Sequence, residues 1–206
     1  MRTTAILASA CIVLIAGAPF AAQANEAIAP EKFAKRLLAA PSVEQKTYAC
    51  FVRRYDTAHL TRHPKQTVTA MKLLVSAERL AEDNEVSYSL TFGINLRNRA
   101  GDFVSSESCG RARELPAAEG GTTVHCQDGC EDNGIDVALG PHDKSVMLTF
   151  KDIVVWRAGN RNDEDGHFGL TAGADDRLFR LDRADIKDCA ALMGEGEDDL
   201  AATPTQ

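Results

Sequence analysis

The chain has 206 residues with a formal net charge of −7, and 44% of its residues are hydrophobic and 26% charged. This composition is typical of a globular protein and excludes a collagen-like, a coiled-coil or a wholly disordered chain. The net negative charge also disfavours nucleic acid as a partner, because attraction to phosphates dominates such binding.

Residues 1–24 have the pattern of a secretory signal peptide. Arg2 supplies a positive start, residues 5–18 form an uncharged apolar run, and Ala22-Gln23-Ala24 matches the small-x-small motif that signal peptidase cleaves. The run is shorter than the roughly 20 apolar residues that a membrane-spanning helix needs. We therefore predict cleavage near Ala24, no membrane span, and a periplasmic or secreted mature protein.

Export would place the cysteines in an oxidising compartment, where disulfides form. Five cysteines follow the predicted cleavage site, so at most two intrachain disulfides form and one thiol stays free or joins another chain. A monomer and a disulfide-linked dimer are both compatible with this odd number. Cys126 has two possible partners: Cys130 across a hairpin, or a distant cysteine. The disulfide candidates are Cys50, Cys109, Cys126, Cys130 and Cys189.

The hydrophobic pattern changes along the chain from helical to strand-like. Residues 25–45 are predicted to form a helical N-terminal arm, and from Thr47 the pattern has a period of two. In residues 86–96, six apolar residues alternate with small or polar ones, which is typical of a half-buried strand. Further strands are predicted after Thr47, over 68–75, 122–126, 135–139, 168–170 and 178–181, and as one long strand from Val146 with a bulge near Lys151-Asp152.

These segments make about eight strands, which turn signals such as Arg99–Asp102 and Asn133-Gly134 separate. Short connections favour antiparallel neighbours. We therefore predict an all-β domain over residues 46–194, built as a barrel or curved sandwich with short N- and C-terminal helices. Its C-terminal helix is predicted over 183–193. Residues 195–206 are acidic and lack aromatics, and we predict a disordered tail.

A basic segment lies within this acidic protein. Between Lys46 and Lys72 there are six bases and a single acid, which gives the segment a charge of +5 in a mature chain of −8. Such a segment is a candidate anion-binding face. Alternatively, the bases pair with the protein's own acids, at about 0–1 kcal/mol for each surface pair. The candidate ligand-binding residues are Arg53, Arg54, Asp56, His59, Arg62, His63 and Lys65.

Two segments contain candidate metal ligands. Asp56 could cap a helical turn that places His59 and His63 on one face, where two imidazoles can chelate zinc or copper. Pro64 disfavours a helical conformation for His63, which weakens this interpretation. The second segment is a hairpin in which His125, Cys126 and Cys130 could bind a soft metal.

Motifs of the common hydrolases, P-loop proteins and dinucleotide-binding enzymes are absent from the sequence. We therefore predict a non-catalytic exported binding or accessory domain of the bacterial envelope. Its partner would be an anionic envelope component or a periplasmic protein, bound through the basic segment. Two alternatives remain open: a periplasmic copper- or zinc-binding protein, and a periplasmic hydrolase or thiol enzyme.

Overall fold

The computed structural model describes residues 30–82, 84–111, 113–116, 122–127, 134–160 and 166–194. The predicted signal peptide and acidic tail lie outside these residues. Helices α1 and α2 are Pro30–Leu38 and Thr57–Arg62, and two 3-10 helices are Pro141–Asp143 and Ile186–Leu192. Strands β1 to β11 are Thr47–Arg54, Val68–Arg79, Val86–Leu96, Arg99–Arg111, Arg113–Pro116, Thr122–Gln127, Gly134–Leu139, Ser145–Phe150, Asp152–Arg157, His167–Thr171 and Phe179–Ala184.

All of these strands belong to one antiparallel sheet with the order β10-β9-β4-β3-β2-β1-β11-β8-β7-β6-β5. The sheet curls into a half-barrel, which confirms the predicted all-β class. A disulfide between Cys109 and Cys126 joins the third strand in this order, β4, to the tenth, β6. Two strands so far apart in one sheet can be bonded only because the sheet is curved. The curvature brings its two halves, which we call its arms, close together.

The predicted long strand from Val146 is two strands. Residue Lys151 separates β8, which lies between β11 and β7, from β9, which lies between β10 and β4. The chain therefore crosses from one arm of the sheet to the other at this point. The predicted bulge near Lys151-Asp152 was meant to explain a shift in the apolar alternation. That shift marks the corner between the two strands, after which Ile153 and Val155 are again buried.

Strand β4 was absent from the sequence prediction, because its first residues, Arg99–Asp102, have the composition of a turn. The chain instead turns at residues 97–98, and Gly101 lies inside β4 with a φ of 114°. A register shift opposite residues 95–96 accommodates this conformation, which favours glycine. Farther along, Ser105 lies opposite Phe92 and interrupts the apolar alternation of a buried strand.

The predicted tight turn at Asn133-Gly134 is also wrong. Gly134 is the first residue of β7 and pairs with Gln127 of β6, so the connection between them comprises residues 128–133. These six residues lie outside the described part of the chain. In the same register Cys126 lies opposite Ile135, not opposite Cys130 as the local hairpin would require.

Apolar side chains fill the interior of the half-barrel. Helix α1 contributes to this core, since its apolar residues pack with those of the sheet, as the helical spacing of Phe33, Leu37 and Leu38 predicts. The N-terminal arm is thus part of the main core. Fully buried members include Phe33, Leu37, Phe51, Leu73, Phe92, Phe103, Leu148 and Phe179.

A smaller apolar cluster, which includes Cys50, Leu74, Cys189 and Leu192, lies on the face of the sheet that points away from the main core. The predicted C-terminal helix begins later than expected, because Phe179–Ala184 extends the sheet as β11 and Asp185 caps the 3-10 helix through the Lys187 N–H. This hydrogen bond lowers the pKa of the Asp185 carboxyl. The Cys50–Cys189 disulfide fastens the 3-10 helix to β1.

The strand directions define two ends of the half-barrel. We call the end that carries residues 55–67, 97–98 and 172–178 the connection end, and the end that carries residues 39–46 and 80–85 the opposite end. In the part of the chain that the structure describes, no helix is both long and apolar enough to cross a bilayer.

Candidate functional site

The candidate ligand-binding residues lie at the connection end, on and around the segment that joins β1 to β2. Arg53 and Arg54 are the last residues of β1, and helix α2 follows after two residues. Asp56 caps this helix as predicted, because its carboxylate accepts a hydrogen bond of 2.7 Å from the His59 N–H. The short helix places both histidines next to each other.

A buried carboxylate fixes the end of this segment. Asp176, in the connection between β10 and β11, is only 1% exposed. It accepts hydrogen bonds from the N–H and the hydroxyl of Thr67 and from the N–H of Val68. Its neighbour Asp175 accepts a further bond, of 3.0 Å, from the Lys65 N–H. The negative charge of Asp176 is therefore satisfied by donors, as a buried carboxylate requires.

Arg97, in the turn between β3 and β4, holds the same segment from another side. Its guanidinium donates to the carbonyl oxygens of Leu60, His63 and Pro64 at 2.9, 3.3 and 3.1 Å. These carbonyls lie at the C-terminal end of α2, where the helix itself offers no donors. A cation there also matches the helix dipole. The segment is thus fixed from two other connections.

Three rings stack along the segment. The ring centroids of Tyr55 and His59 are 4.6 Å apart, and those of His59 and His63 are 4.3 Å apart. Gln66 determines the orientation of the central ring. Its amide NH2 donates to the Val68 carbonyl, so its Oε1 faces His59 Nε2 at 2.9 Å and accepts from it. His59 therefore carries a proton on Nε2.

Arg53 and Tyr55 form the boundary between the stack and the sheet. The Arg53 guanidinium lies 5.1 Å from the centre of the Tyr55 ring, and its Nη1 lies 3.6 Å from a carboxylate oxygen of Asp182. Burial raises the pKa of the Tyr55 hydroxyl, and the positive charge of Arg53 partly opposes this rise. Arg53 is thus shared between a carboxylate and an aromatic ring, and it is less available to a ligand than its neighbours.

The other three bases of the site are exposed. Arg54, Arg62 and Lys65 have no ion-pair partner among the residues that the structure describes, and we call these three side chains the basic face. Arg62 makes one bond within its own helix, from Nε to the Ala58 carbonyl at 3.3 Å. The alternative that the bases pair with the protein's own acids therefore holds for Arg53, whereas the described residues provide no such partner for the basic face.

The two histidines contact each other, but not as a chelating pair. In a stack with an interplanar angle of 26°, the in-plane nitrogens of His59 and His63 do not converge on one point. A zinc or copper ion held by both would require the rings to separate. Within the described ranges there is no cluster of three or more His, Cys, Asp or Glu side chains that could hold a metal ion. Metal binding at these histidines stays a prediction.

The cysteines pair over a distance. Cys50 is bonded to Cys189 and Cys109 to Cys126, which excludes the local bridge between Cys126 and Cys130 and removes Cys126 as a metal ligand. Cys130 lies outside the described residues. Next to this disulfide, His125 Nδ1 lies 2.7 Å from an oxygen of Asp136 on the neighbouring strand.

Sequence reasoning missed Asp176 and Arg97, the two residues that fix the site. Each is far from α2 along the chain, and all its partners but the Thr67 hydroxyl are backbone groups, which leave no trace in the sequence. The one available signal was Asp175-Asp176 before β11, a pair of acids that could have been matched with the basic segment by charge.

Comparison with protein-family models, with curated proteins and with solved structures finds nothing that matches this chain.

Proposed function

We propose that the protein is an exported, non-catalytic binding or accessory domain of the bacterial envelope that recognises an anionic partner through the basic face. The observation that carries this proposal is the combination of unpaired cations and a fixed backbone. Arg54, Arg62 and Lys65 are exposed without carboxylate partners in the described structure, while Asp176 and Arg97 hold the segment that bears two of them.

A fixed backbone matters because binding costs conformational entropy. Bases on a loose loop lose freedom when they bind, whereas bases on an anchored segment lose only side-chain freedom. The position of the basic face in an acidic protein also favours selectivity. An anion is attracted to this end and repelled by most of the remaining surface.

The filled interior supports recognition at the surface. Side chains of α1 and of the sheet occupy the concave side of the half-barrel, where a ligand of a hollow barrel would bind. Two disulfides suit an extracytoplasmic location and support the export that the signal-peptide pattern predicts.

The test measures binding of a fluorescently labelled linear polyphosphate by anisotropy. In the first variant, Arg54, Arg62 and Lys65 are each replaced by Glu. In the matched control, Lys32, Lys144 and Lys187 are replaced by Glu, so that both variants have the same net charge. All six side chains are exposed.

We expect the wild type and the control to bind, with an affinity that falls as salt shortens the Debye length from about 10 Å at 0.1 M to about 3 Å at 1 M. The basic-face variant should bind at least about tenfold more weakly, which corresponds to about 1.4 kcal/mol. The proposal is wrong if the wild type does not bind, or if the control loses as much affinity as the basic-face variant. Thermal unfolding of each variant shows whether the fold is retained.

A further inference from the structure

We infer that the anionic partner is a lipid bilayer surface, to which the basic face binds while the side chain of Leu178 enters the interface. This inference rests on the proposed function and identifies the class of partner. It combines charge with a second, independent feature of the connection end, which is an exposed large apolar side chain.

Leu178 is 55% exposed, the highest value among the large apolar side chains that the structure describes as exposed. It is the last residue of the connection between β10 and β11. The same connection carries Asp175 and Asp176, whose carboxylates bond to the segment that bears the basic face. Leu178 therefore lies on the same end of the molecule as the unpaired bases.

The position of Leu178 is fixed by the core. The next residue, Phe179, is fully buried and stacks on Phe150 at 5.6 Å between ring centroids. Exposed arginines, Arg177 and Arg180, lie on either side along the chain. Apolar tips flanked by bases suit the boundary between anionic headgroups and acyl chains, since bases attract the headgroups and the apolar group leaves water.

The acids at this end are outnumbered by the bases. Residues 53–67, 97–98 and 172–182 contain four carboxylates and seven arginines and lysines, so this end keeps a net positive charge. The carboxylate of Asp182 is in addition shared by two arginines. A soluble anion or a charged polymer would be held by the bases alone and would give Leu178 no role. The apolar tip thus favours a membrane over other anionic partners.

The opposite end provides a natural comparison. Leu80 is also exposed, at 41%, but it lies in the connection between β2 and β3 beside Glu82 and Glu85. An anionic surface would repel these carboxylates. A single exposed leucine has little meaning by itself. What distinguishes Leu178 is the sign of the charges around it.

The experiment uses protein produced from the full sequence and two variants, Leu178→Ser and the matched control Leu80→Ser. Binding is measured by sedimentation with vesicles of phosphatidylglycerol and phosphatidylcholine, and with vesicles of phosphatidylcholine alone. Binding of the labelled polyphosphate is measured in parallel, because this anion has no apolar interior.

We expect the wild type to bind the anionic vesicles and not the neutral ones. Leu178→Ser should weaken vesicle binding about tenfold and leave polyphosphate binding unchanged, since burial of a leucine contributes to binding only at the bilayer. Leu80→Ser should bind both as the wild type does. Both side chains are exposed, so neither variant should unfold.

Three results would overturn the inference. If the wild type binds polyphosphate but not anionic vesicles, the basic face recognises another anion, and the proposed function survives. If vesicle binding is unaffected by Leu178→Ser, or if Leu80→Ser reduces it equally, Leu178 does not enter the interface. If the wild type does not bind polyphosphate, the proposed function fails and the inference fails with it.

Discussion

The two ends of the half-barrel differ in how their surface arginines are paired. Towards the opposite end, Arg36 donates two hydrogen bonds to Asp143, at 3.0 and 2.6 Å, and Arg79 donates to Glu44 at 2.9 Å. The bond to Asp143 raises the pKa of the Arg36 guanidinium. At the connection end, the described structure contains no such carboxylates for the basic face. Bases that are paired within the fold serve the fold, and bases left unpaired on a fixed segment are available for binding.

At both ends, charged side chains nevertheless collect several backbone groups. At the connection end, the buried Asp176 accepts from N–H groups of residues 67 and 68. Towards the opposite end, Arg183 donates to the carbonyl oxygens of Arg36, Leu37 and Asp143 and covers the ring of Phe51 at 4.7 Å. Burial lowers the pKa of Arg183, although an arginine stays charged in proteins. Towards the opposite end, one cation therefore does what the anion Asp176 and the cation Arg97 do together at the connection end.

The largest effect is expected from Asp176→Ala. This change leaves the N–H groups of Thr67 and Val68 without acceptors in a buried place, so the free energy of unfolding should fall by about 3 kcal/mol. Urea denaturation measures the loss. Asp175→Ala is the matched control, because Asp175 is only partly buried and accepts one bond; it should cost about 1 kcal/mol or less. Equal losses in the two variants would show that Asp176 does not anchor the segment.

The second-largest effect on stability is expected at Arg183, the side chain that fixes the end of α1. Arg183→Met keeps most of the apolar stem but removes the donors to the last carbonyls of α1, and we expect a loss of about 2 kcal/mol in the free energy of unfolding. Arg180→Met is the control, since Arg180 lies on the same strand with an exposed side chain. Polyphosphate binding should stay unchanged in Arg183→Met. A weaker affinity there would mean that the two ends are not independent.

How much of this could be predicted from the sequence depends on the range of the interactions. The bounds of Val86–Leu96 and the capping role of Asp56 follow from local patterns, and the structure confirms both. Strand β4 was missed because its first residues have the composition of a turn and Ser105 interrupts its apolar pattern. The corner at Lys151 was read as a bulge, since the local phase of the pattern does not show which arm of the sheet a strand joins.

The candidate site was likewise predictable only where its residues are close in the sequence. Its bases are neighbours in the sequence, so their cluster was visible there. The anchors are not neighbours of α2: Asp176 follows Thr67 by 109 positions, and Arg97 follows Leu60 by 37. The sequence could not show which bases stay unpaired, because pairing depends on strands that meet only in the folded sheet, as Arg53 and Asp182 do.

The smallest effect on stability is expected from Arg79→Gln. Together with Arg54→Gln, it tests the comparison between paired and unpaired bases most directly. Arg79→Gln removes an ion pair and a bond to the Asn84 carbonyl, and the free energy of unfolding should fall by about 1 kcal/mol without a change in polyphosphate affinity.

Arg54→Gln removes no ion pair in the described structure. Its stability should stay within about 0.5 kcal/mol of the wild type. Its polyphosphate affinity should fall about threefold, because one of the three bases of the face is lost. Urea denaturation and anisotropy, applied to both variants, separate the two roles. A stability loss without a binding loss in Arg54→Gln would place that base with the paired ones and reduce the basic face to Arg62 and Lys65.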